Sequence, residues 1–224
     1  MTAEQFTFDL PLEQRFDRDS LLVGQANKAA VLLLDSWPQW PSPYALLAGP
    51  TGSGKSHIAH AWKARAQALA LPVNGLDIDL AQPATHVLID DIAPGLFDET
   101  HLFHVMNWVR QNGKTLLMTS TSWPGSWQVQ TPDLLSRLRA ATTIEIHEPD
   151  DLLLRSIFIK LFTDRQLLVD AGVADYLVLR VERSLRSAIV IVDALDRLSL
   201  ARQSRITKRL AGEVLEAFEQ RDAL

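Results

Sequence analysis

The stretch Gly49-Pro50-Thr51-Gly52-Ser53-Gly54-Lys55-Ser56 matches the pattern G-x-x-x-x-G-K-[ST] over its full length. Glycines at these positions let the backbone curl, so that consecutive N–H groups point toward phosphate oxygens. The helix that follows adds the positive end of its dipole. Lys55 is then placed to reach the β- and γ-phosphates of a nucleotide, and the Ser56 hydroxyl to ligate Mg²⁺. The pattern therefore predicts a nucleotide phosphate site.

The residues on either side of this turn supply the setting that the motif needs. A buried strand is predicted over Tyr44–Ala48, and a helix from the loop to about residue 70. A second apolar stretch, Val87–Ile89, ends in Asp90 and Asp91, which is how P-loop proteins deliver a Mg²⁺-orienting carboxylate. We expect Asp90 to act on the metal, directly or through water. Asp91 is expected near the γ-phosphate, where a base orients the attacking water.

The alternation of apolar strands and helices continues along the chain. A helix is predicted over Glu99–Gln111, and further apolar strands over 115–118 and 144–146. Apolar strands that do not alternate with polar residues, separated by helices, are typical of a parallel sheet covered on both faces. Ahead of the phosphate loop, Asn27 is expected to cap a helix.

The pattern changes near Pro149, where glycine becomes rare and apolar residues recur at helical spacing. We therefore predict an α/β nucleotide-binding domain over 15–148 and a small all-helical domain over 149–224. Residues 1–14 begin with alternating apolar and polar side chains as far as Pro11. They are predicted to form an extended arm, since proline disfavours a continuing helix.

Composition narrows the classes of function. The 224 residues contain no cysteine, which excludes disulfides, thiol catalysis and cysteine-ligated zinc. With 22 Lys and Arg against 27 Asp and Glu, the formal net charge is −5, and this acidic surplus disfavours generic binding to duplex DNA. No signal-peptide pattern is visible, and the apolar runs are too short to span a bilayer. We expect a soluble cytoplasmic protein with no membrane partner and no strong direct DNA binding.

Several of these segments resemble the AAA+ module of the bacterial replication initiator DnaA. They are the phosphate loop followed directly by His57, the acid pair after an apolar strand, and the strand that leads into Thr119-Ser120-Thr121. The run Leu134-Leu135-Ser136-Arg137-Leu138 is similar to the arginine-finger segment of that family. The resemblance covers the chain from about Phe16 onward. It implies an α/β AAA+ P-loop domain with a parallel sheet covered by helices, followed by a small helical lid.

A closer resemblance is to the Hda-like regulators of this family. We expect the chain to lack the initiator's DNA-binding and N-terminal assembly domains, and to carry the short arm Gln5-Phe6-Thr7-Phe8-Asp9-Leu10 in their place. Hda-like proteins dock on the DNA polymerase sliding clamp through a glutamine-containing N-terminal peptide. The resemblance therefore implies clamp binding through Gln5, Phe6, Phe8 and Leu10. DnaA itself is the implied second partner, and a homodimer is also compatible with the family.

The resemblance further implies which residues contact ADP or ATP with Mg²⁺: the loop residues 50–57, the adenine pocket Leu22, Val23 and Gly24, the sensor Thr121 and the lid arginine Arg183. Arg186 lies one helical turn from Arg183 and competes for the lid role. Arg137 corresponds to the finger that reaches into a neighbouring subunit's nucleotide. Such a finger stabilises charge that develops on the transferring phosphoryl oxygens.

Three departures from the family leave alternatives open. Asp91 is one methylene shorter than the glutamate of many AAA+ ATPases, Thr121 stands where the initiator usually has aspartate, and residues 70–84 are compressed. We therefore expect an activator of a partner's ATPase, with weak or no hydrolysis of its own. The alternatives are an AAA+ ATPase of the initiator or helicase-loader type that acts directly on DNA, and a P-loop small-molecule kinase.

Overall fold

The computed structural model describes residues 18–222 of the chain. Within this range the strands form one sheet in which hydrogen-bonded neighbours are parallel. The strands are β1 Tyr44–Ala48, β2 Leu69–Ala70, β3 Val87–Ile89, β4 Leu116–Ser120 and β5 Thr142–Glu145, in the order β2-β3-β4-β1-β5. The predicted parallel sheet is confirmed. The arm predicted for residues 1–14 lies outside the described residues.

Helices cover both faces of this sheet because the strands are apolar on both sides. One face carries α1 Lys28–Ser36 and α2 Lys55–Ala66, and the other carries α3 Ile78–Ala81, α4 Glu99–Gln111 and α5 Pro132–Arg139. Trp62 of α2 fills the first layer and Met106 of α4 the second, and both are completely buried. The sheet is therefore the middle of three layers, as predicted for this fold class.

The ends of some elements differ from the predicted ones. α2 ends at Ala66 instead of near residue 70, because Gln67 adopts a left-handed conformation with φ +49° and the chain turns into β2. The sequence carries no pattern for β2, since both of its residues are exposed. β5 begins at Thr142, two residues ahead of the predicted strand 144–146, because two threonines form its half-buried start.

A helical domain follows the sheet. It consists of α6 Asp151–Asp164, α7 Val173–Val178, α8 Leu185–Arg202 and α9 Lys208–Asp222, with one isolated β-bridge between Val169 and Ile206. It has its own core, in which Leu154 and Phe158 of α6 and Val192 of α8 are completely buried. The predicted helical lid is thus present. In the described part of the chain, no helix is both long and apolar enough to cross a membrane.

Candidate nucleotide-binding site

The phosphate loop lies at the carboxyl edge of the sheet, where the parallel strands end. It leaves β1 and enters α2 directly, so the first N–H groups of α2, which have no partner within the helix itself, border the loop. Gly52 has a φ of +79°, which a side chain disfavours. Gly49 passes so close to the end of β5 that an added Cβ would lie 2.1 Å from the carbonyl oxygen of Ile146. Both positions therefore require glycine, one for conformation and one for close approach.

Lys55 is buried inside the loop. Its exposed fraction is 4%, and its Nζ donates to the carbonyl oxygens of Gly49 at 2.9 Å and Pro50 at 2.8 Å. Burial lowers the pKa of Lys55, and the negative charges of Asp91 and Asp90 partly offset this effect. An ammonium group has three N–H donors, so a third remains for a ligand. A buried cation in this setting is stabilised by a phosphate group.

A second polar group in the loop also indicates a ligand. Ser53 Oγ is buried, and it has no hydrogen-bond partner among the described residues. Leaving a buried hydroxyl unpaired costs about 1–3 kcal/mol, a cost that a phosphate oxygen accepting its hydrogen would remove. Together with the curled backbone and the Lys55 ammonium, this hydroxyl makes the loop fit a nucleotide diphosphate.

Ser56 and Asp90 form the candidate magnesium site. Ser56 Oγ donates to Asp90 Oδ1 at 3.1 Å, which brings a hydroxyl and a carboxylate together beside the loop. His60 Nε2 lies 3.5 Å from the other oxygen of the same carboxylate. In nucleotide sites Mg²⁺ keeps several waters and takes one or two protein carboxylates besides the phosphates. The donor set therefore fits Mg²⁺ held jointly by the protein and a nucleotide.

Asp91 and Thr121 lie at the same edge of the sheet. Asp91 follows the end of β3 with φ +57°, and its side chain is exposed. Thr121 is also exposed, one residue beyond Ser120, whose carbonyl oxygen accepts the N–H of Gly49 at 3.2 Å. The fold thus brings both predicted residues to the edge that carries the phosphate loop.

The predicted adenine segment Leu22-Val23-Gly24 lies between the sheet domain and the lid. Just before it, Ser20 Oγ is 3.2 Å from Nε2 of His57 at the start of α2. A Cβ added to Gly24 would lie 3.0 Å from Leu153 of α6.

Asn27 fixes the conformation of this segment, since its side chain accepts the Gly24 N–H at 2.9 Å and donates to the Leu22 carbonyl at 2.8 Å. Asn27 precedes α1 as predicted, but its side chain serves this segment and makes no cap bond to α1.

The start of α8 contacts the phosphate loop from the lid side. Ser184 is buried, and its Oγ caps α8 by accepting the N–H of Ser187 at 3.1 Å. The N–H of Leu185 donates to the carbonyl oxygen of Gly52 at 2.8 Å. A direct backbone hydrogen bond therefore joins the lid to the phosphate loop.

The two candidate lid arginines have different surroundings. The Cβ of Arg186 is 3.6 Å from the position that a Cβ on Gly52 would take, so this residue begins its side chain beside the loop. Arg183 instead forms an ion pair with Asp151 of α6, with 2.8 Å between nitrogen and oxygen. The geometry places Arg186 next to the phosphate loop and ties Arg183 to the start of the lid.

Gly52→Ala is expected to lower both stability and nucleotide affinity, because the new Cβ would lie 2.2 Å from Ser184 Oγ. Gly95→Ala is the matched control: its φ of +77° is nearly the same, but an added Cβ meets nothing within 4 Å. Both variants lose about 1–2 kcal/mol of stability from a side chain at positive φ. Only Gly52→Ala should also lose nucleotide affinity, by about tenfold or more. Thermal unfolding and nucleotide titration check this, and equal behaviour of the two variants would contradict the lid contact.

Arg137 lies at the amino edge of the sheet, where the strands begin. Its guanidinium carbon is 4.8 Å from the centre of the Phe103 ring of α4, and among the described residues its buried Nε has no hydrogen-bond partner. It lines a pocket of about 400 Å³ together with Arg110 and with Tyr44, the first residue of β1. Burial raises the pKa of Tyr44 despite the opposing hydrogen bond and charge of Arg137. The whole length of β1 separates this pocket from the phosphate loop.

Three residues that shape the site are not assigned to it by sequence reasoning: Asn27, Thr119 and Ser184. Asn27 and Ser184 precede helices, where such residues are interpreted as caps. Thr119 lies in an apolar strand and is completely buried. The feature that could have identified Thr119 is the position of its strand in the sheet. β4 lies next to β3, the strand that ends in the acid pair.

Comparisons with known proteins agree with this geometry. The family model described as "Hda, lid domain" matches residues 157–215. The chromosomal replication initiator protein DnaA of Francisella tularensis subsp. novicida is 28% identical over 177 residues, which cover 66% of this chain and 36% of that protein. The match thus spans about a third of the length of this curated relative.

Solved structures share the fold. Domain III of the Thermotoga maritima replication initiation protein DnaA matches with a TM-score of 0.77 at 18% identity, over 91% of this chain and 96% of that one. AMPPCP-bound DnaA from Aquifex aeolicus matches with a TM-score of 0.69 at 18% identity, over 93% and 69% of the two chains. These likenesses show the fold. The lid match, the DnaA relatives and the shared fold together support an Hda-like, DnaA-related AAA+ protein.

Proposed function

We propose that this chain is an adenine-nucleotide-binding regulator that docks on the DNA polymerase sliding clamp and supplies Arg137 to ATP bound by DnaA. The resulting hydrolysis of initiator-bound ATP limits re-initiation of DNA replication. The observation that carries this proposal is the position of Arg137 at the amino edge of the sheet, on the opposite edge from the chain's own phosphate loop.

The ligand proposed for the phosphate loop is ADP or ATP with Mg²⁺. The third donor of Lys55, the Ser53 hydroxyl, which has no hydrogen-bond partner within residues 18–222, and the Ser56–Asp90 pair all support it. The DnaA structure from Aquifex aeolicus holds AMPPCP in the same fold. Arg186 is proposed as the lid arginine in place of Arg183, because its side chain starts beside Gly52.

A neighbouring subunit is the proposed target of Arg137. An arginine finger must reach the γ-phosphate oxygens to stabilise their charge. Arg137 is held against Phe103 near the start of β1, so its own chain's phosphates are out of reach. Its planar guanidinium suits a phosphate better than an ammonium does. DnaA is the proposed neighbour. A second copy of this chain is the alternative neighbour, since its nucleotide site has the same fold.

Asp91 supports the proposal of weak or absent hydrolysis by the chain itself. A general base must come within hydrogen-bond reach of the attacking water. The Asp91 carboxylate is on a short side chain, and its backbone N–H is bonded to Thr119 Oγ1 at 2.8 Å. A short acid on a backbone held in place has little freedom to approach a water at the γ-phosphate.

Clamp docking is proposed for the arm, from its sequence. The side chains of Gln5, Phe6, Phe8 and Leu10 suit an extended peptide whose residues enter pockets of a partner. Deleting residues 1–12 is expected to abolish retention of the clamp in a pull-down. Nucleotide binding is expected to stay unchanged, because none of the residues assigned to the nucleotide site lies in this segment.

Point variants test which residues of the arm enter pockets of the clamp and which residue only connects them. The double variant Phe6→Ala with Phe8→Ala should lose clamp binding, whereas Thr7→Ala, between them in sequence, should retain it. Undiminished clamp retention by the truncated protein would remove the arm from the proposed function and leave the nucleotide site untouched.

A further inference from the structure

Thr119 is a completely buried polar residue in β4, beside the end of β3. Its Oγ1 donates a hydrogen bond to Asp90 Oδ1 and accepts the backbone N–H of Asp91 at 2.8 Å. A hydroxyl can make both bonds because it has one O–H donor and two lone pairs. One side chain is therefore bonded to both acids of the site.

Each of the two bonds holds a different group. The donor end of the hydroxyl holds the Asp90 carboxylate in the orientation that also accepts the Ser56 hydroxyl at 3.1 Å. The acceptor end holds the backbone of Asp91, whose φ of +57° is uncommon for a residue with a side chain. One oxygen atom thus contacts both acids, in addition to the contacts of Asp90 with Ser56 and His60.

We infer that Thr119 is a positioning residue for the magnesium–nucleotide complex, which it aligns through Asp90 and Asp91 without touching the ligand. Groups that hydrogen-bond to a metal-ligating carboxylate fix its orientation, and their removal lowers metal affinity. The inference rests on the proposed function, since it requires Mg²⁺ and a nucleotide beside Ser56 and Asp90. It is separate from the sensor role proposed for Thr121, which is exposed beyond the end of the strand.

Thr119→Val tests the inference, because valine keeps the branched shape and removes the hydroxyl. The binding of a fluorescent ADP is measured as Mg²⁺ is titrated, and again in EDTA. We expect the Mg²⁺ concentration for half-maximal binding to rise roughly 10- to 100-fold, while affinity in EDTA stays unchanged. Thr119→Ser retains the hydroxyl and should restore the wild-type Mg²⁺ dependence.

Ser120→Ala is the matched control for this series. Ser120 is the next residue of β4 and equally buried, and its Oγ accepts the N–H of Ser122 at 3.2 Å. The Ser120→Ala variant should retain the wild-type Mg²⁺ dependence of ADP binding. A purely structural role of Thr119 would lower thermal stability and leave the Mg²⁺ dependence of the folded protein alone.

The outcomes separate the inference from the function on which it rests. Identical Mg²⁺ dependence in the wild type and in folded Thr119→Val overturns the inference and leaves the nucleotide site standing. A wild-type protein that binds no ADP with Mg²⁺ present overturns the proposed function itself.

A measurement on the unaltered protein covers the case in which Thr119→Val does not fold. Hydrogen exchange of the Asp91 amide, followed by NMR, should be slow although the residue is exposed, because its N–H is bonded to Thr119. Exchange of Asp91 as fast as that of Gly95, in the loop that follows, would overturn the inference.

Discussion

Arg137→Ala is expected to leave nucleotide binding by this chain intact and to reduce its stimulation of ATP hydrolysis by DnaA by about 10³-fold or more. Alanine removes the guanidinium that we propose neutralises charge on the transferring phosphoryl oxygens. Binding is retained because Arg137 lies beside Tyr44 at the amino edge, away from the phosphate loop. The measurement is phosphate release from ATP-loaded DnaA, with the sliding clamp present and each variant added in turn.

Arg139→Ala is the matched control, since Arg139 is exposed in the same last turn of α5 and should be dispensable. Arg137→Lys keeps the charge but loses the planar fork, so its stimulation should fall between wild type and alanine. If Arg137→Ala stimulated ATP hydrolysis by DnaA as fully as the wild type does, Arg137 would be ruled out as the arginine finger. If the isolated wild-type chain bound DNA with an affinity that falls steeply as the salt concentration rises, the alternative of an ATPase acting on DNA would be favoured.

Lys55→Ala is expected to weaken binding of ADP and ATP by about 100-fold, because a hydrogen bond to a charged group contributes roughly 1.5–3 kcal/mol and each 1.4 kcal/mol is tenfold. Two donors of the Lys55 ammonium go to loop carbonyls, and the third is the one available to a phosphate. Removing the ammonium also leaves the carbonyls of Gly49 and Pro50 without this donor. Equilibrium titration with a labelled nucleotide measures the loss.

Lys63→Ala provides the comparison, because Lys63 lies in the last turn of the same helix, about two turns beyond Lys55. It should bind nucleotide as the wild type does. Thermal unfolding of both variants without nucleotide separates lost affinity from lost fold. Wild-type affinity in a folded Lys55→Ala protein would contradict the placement of phosphate in this loop.

The phosphate loop and the acid pair could be predicted because each is a contiguous run attached to an apolar strand. The strands Tyr44–Ala48 and Val87–Ile89 are buried at every position, and a continuous apolar run is the sequence pattern of such strands. The edge strand Leu69–Ala70 could not be predicted in this way. Both of its residues are exposed, and only the pairing with Val87 and Leu88 defines it.

The lid arginine could not be predicted from spacing alone. Arg183 and Arg186 are three residues apart, and their surroundings depend on where α8 begins and what its first turn contacts. Because the N–H of Leu185 is bonded to Gly52, Arg186 falls in the turn beside the loop. Arg183 lies before the helix and pairs with Asp151. This tertiary contact is the reason for proposing Arg186, since the two residues look equivalent in sequence.

Thr119 shows the same limit on the sheet side of the site. The run Thr119-Ser120-Thr121 offers three hydroxyls, and nothing in their order indicates which one meets the acids. The register between β3 and β4 pairs Ile89 with Met118, so the following residues, Asp90 and Thr119, meet. Strand order and register are long-range properties, and the resemblance to DnaA points to Thr121 instead.

Binding of an adenine nucleotide by the purified full chain is the most direct test of the central claim. Calorimetric titration with ADP and with ATP, each with Mg²⁺ supplied, should give equimolar binding that weakens when EDTA removes the metal. Nucleotide released by denaturing the freshly purified protein should be ADP or ATP. If neither nucleotide binds to folded protein in the presence of Mg²⁺, residues 49–56 do not hold a diphosphate and the proposed regulator has no ligand.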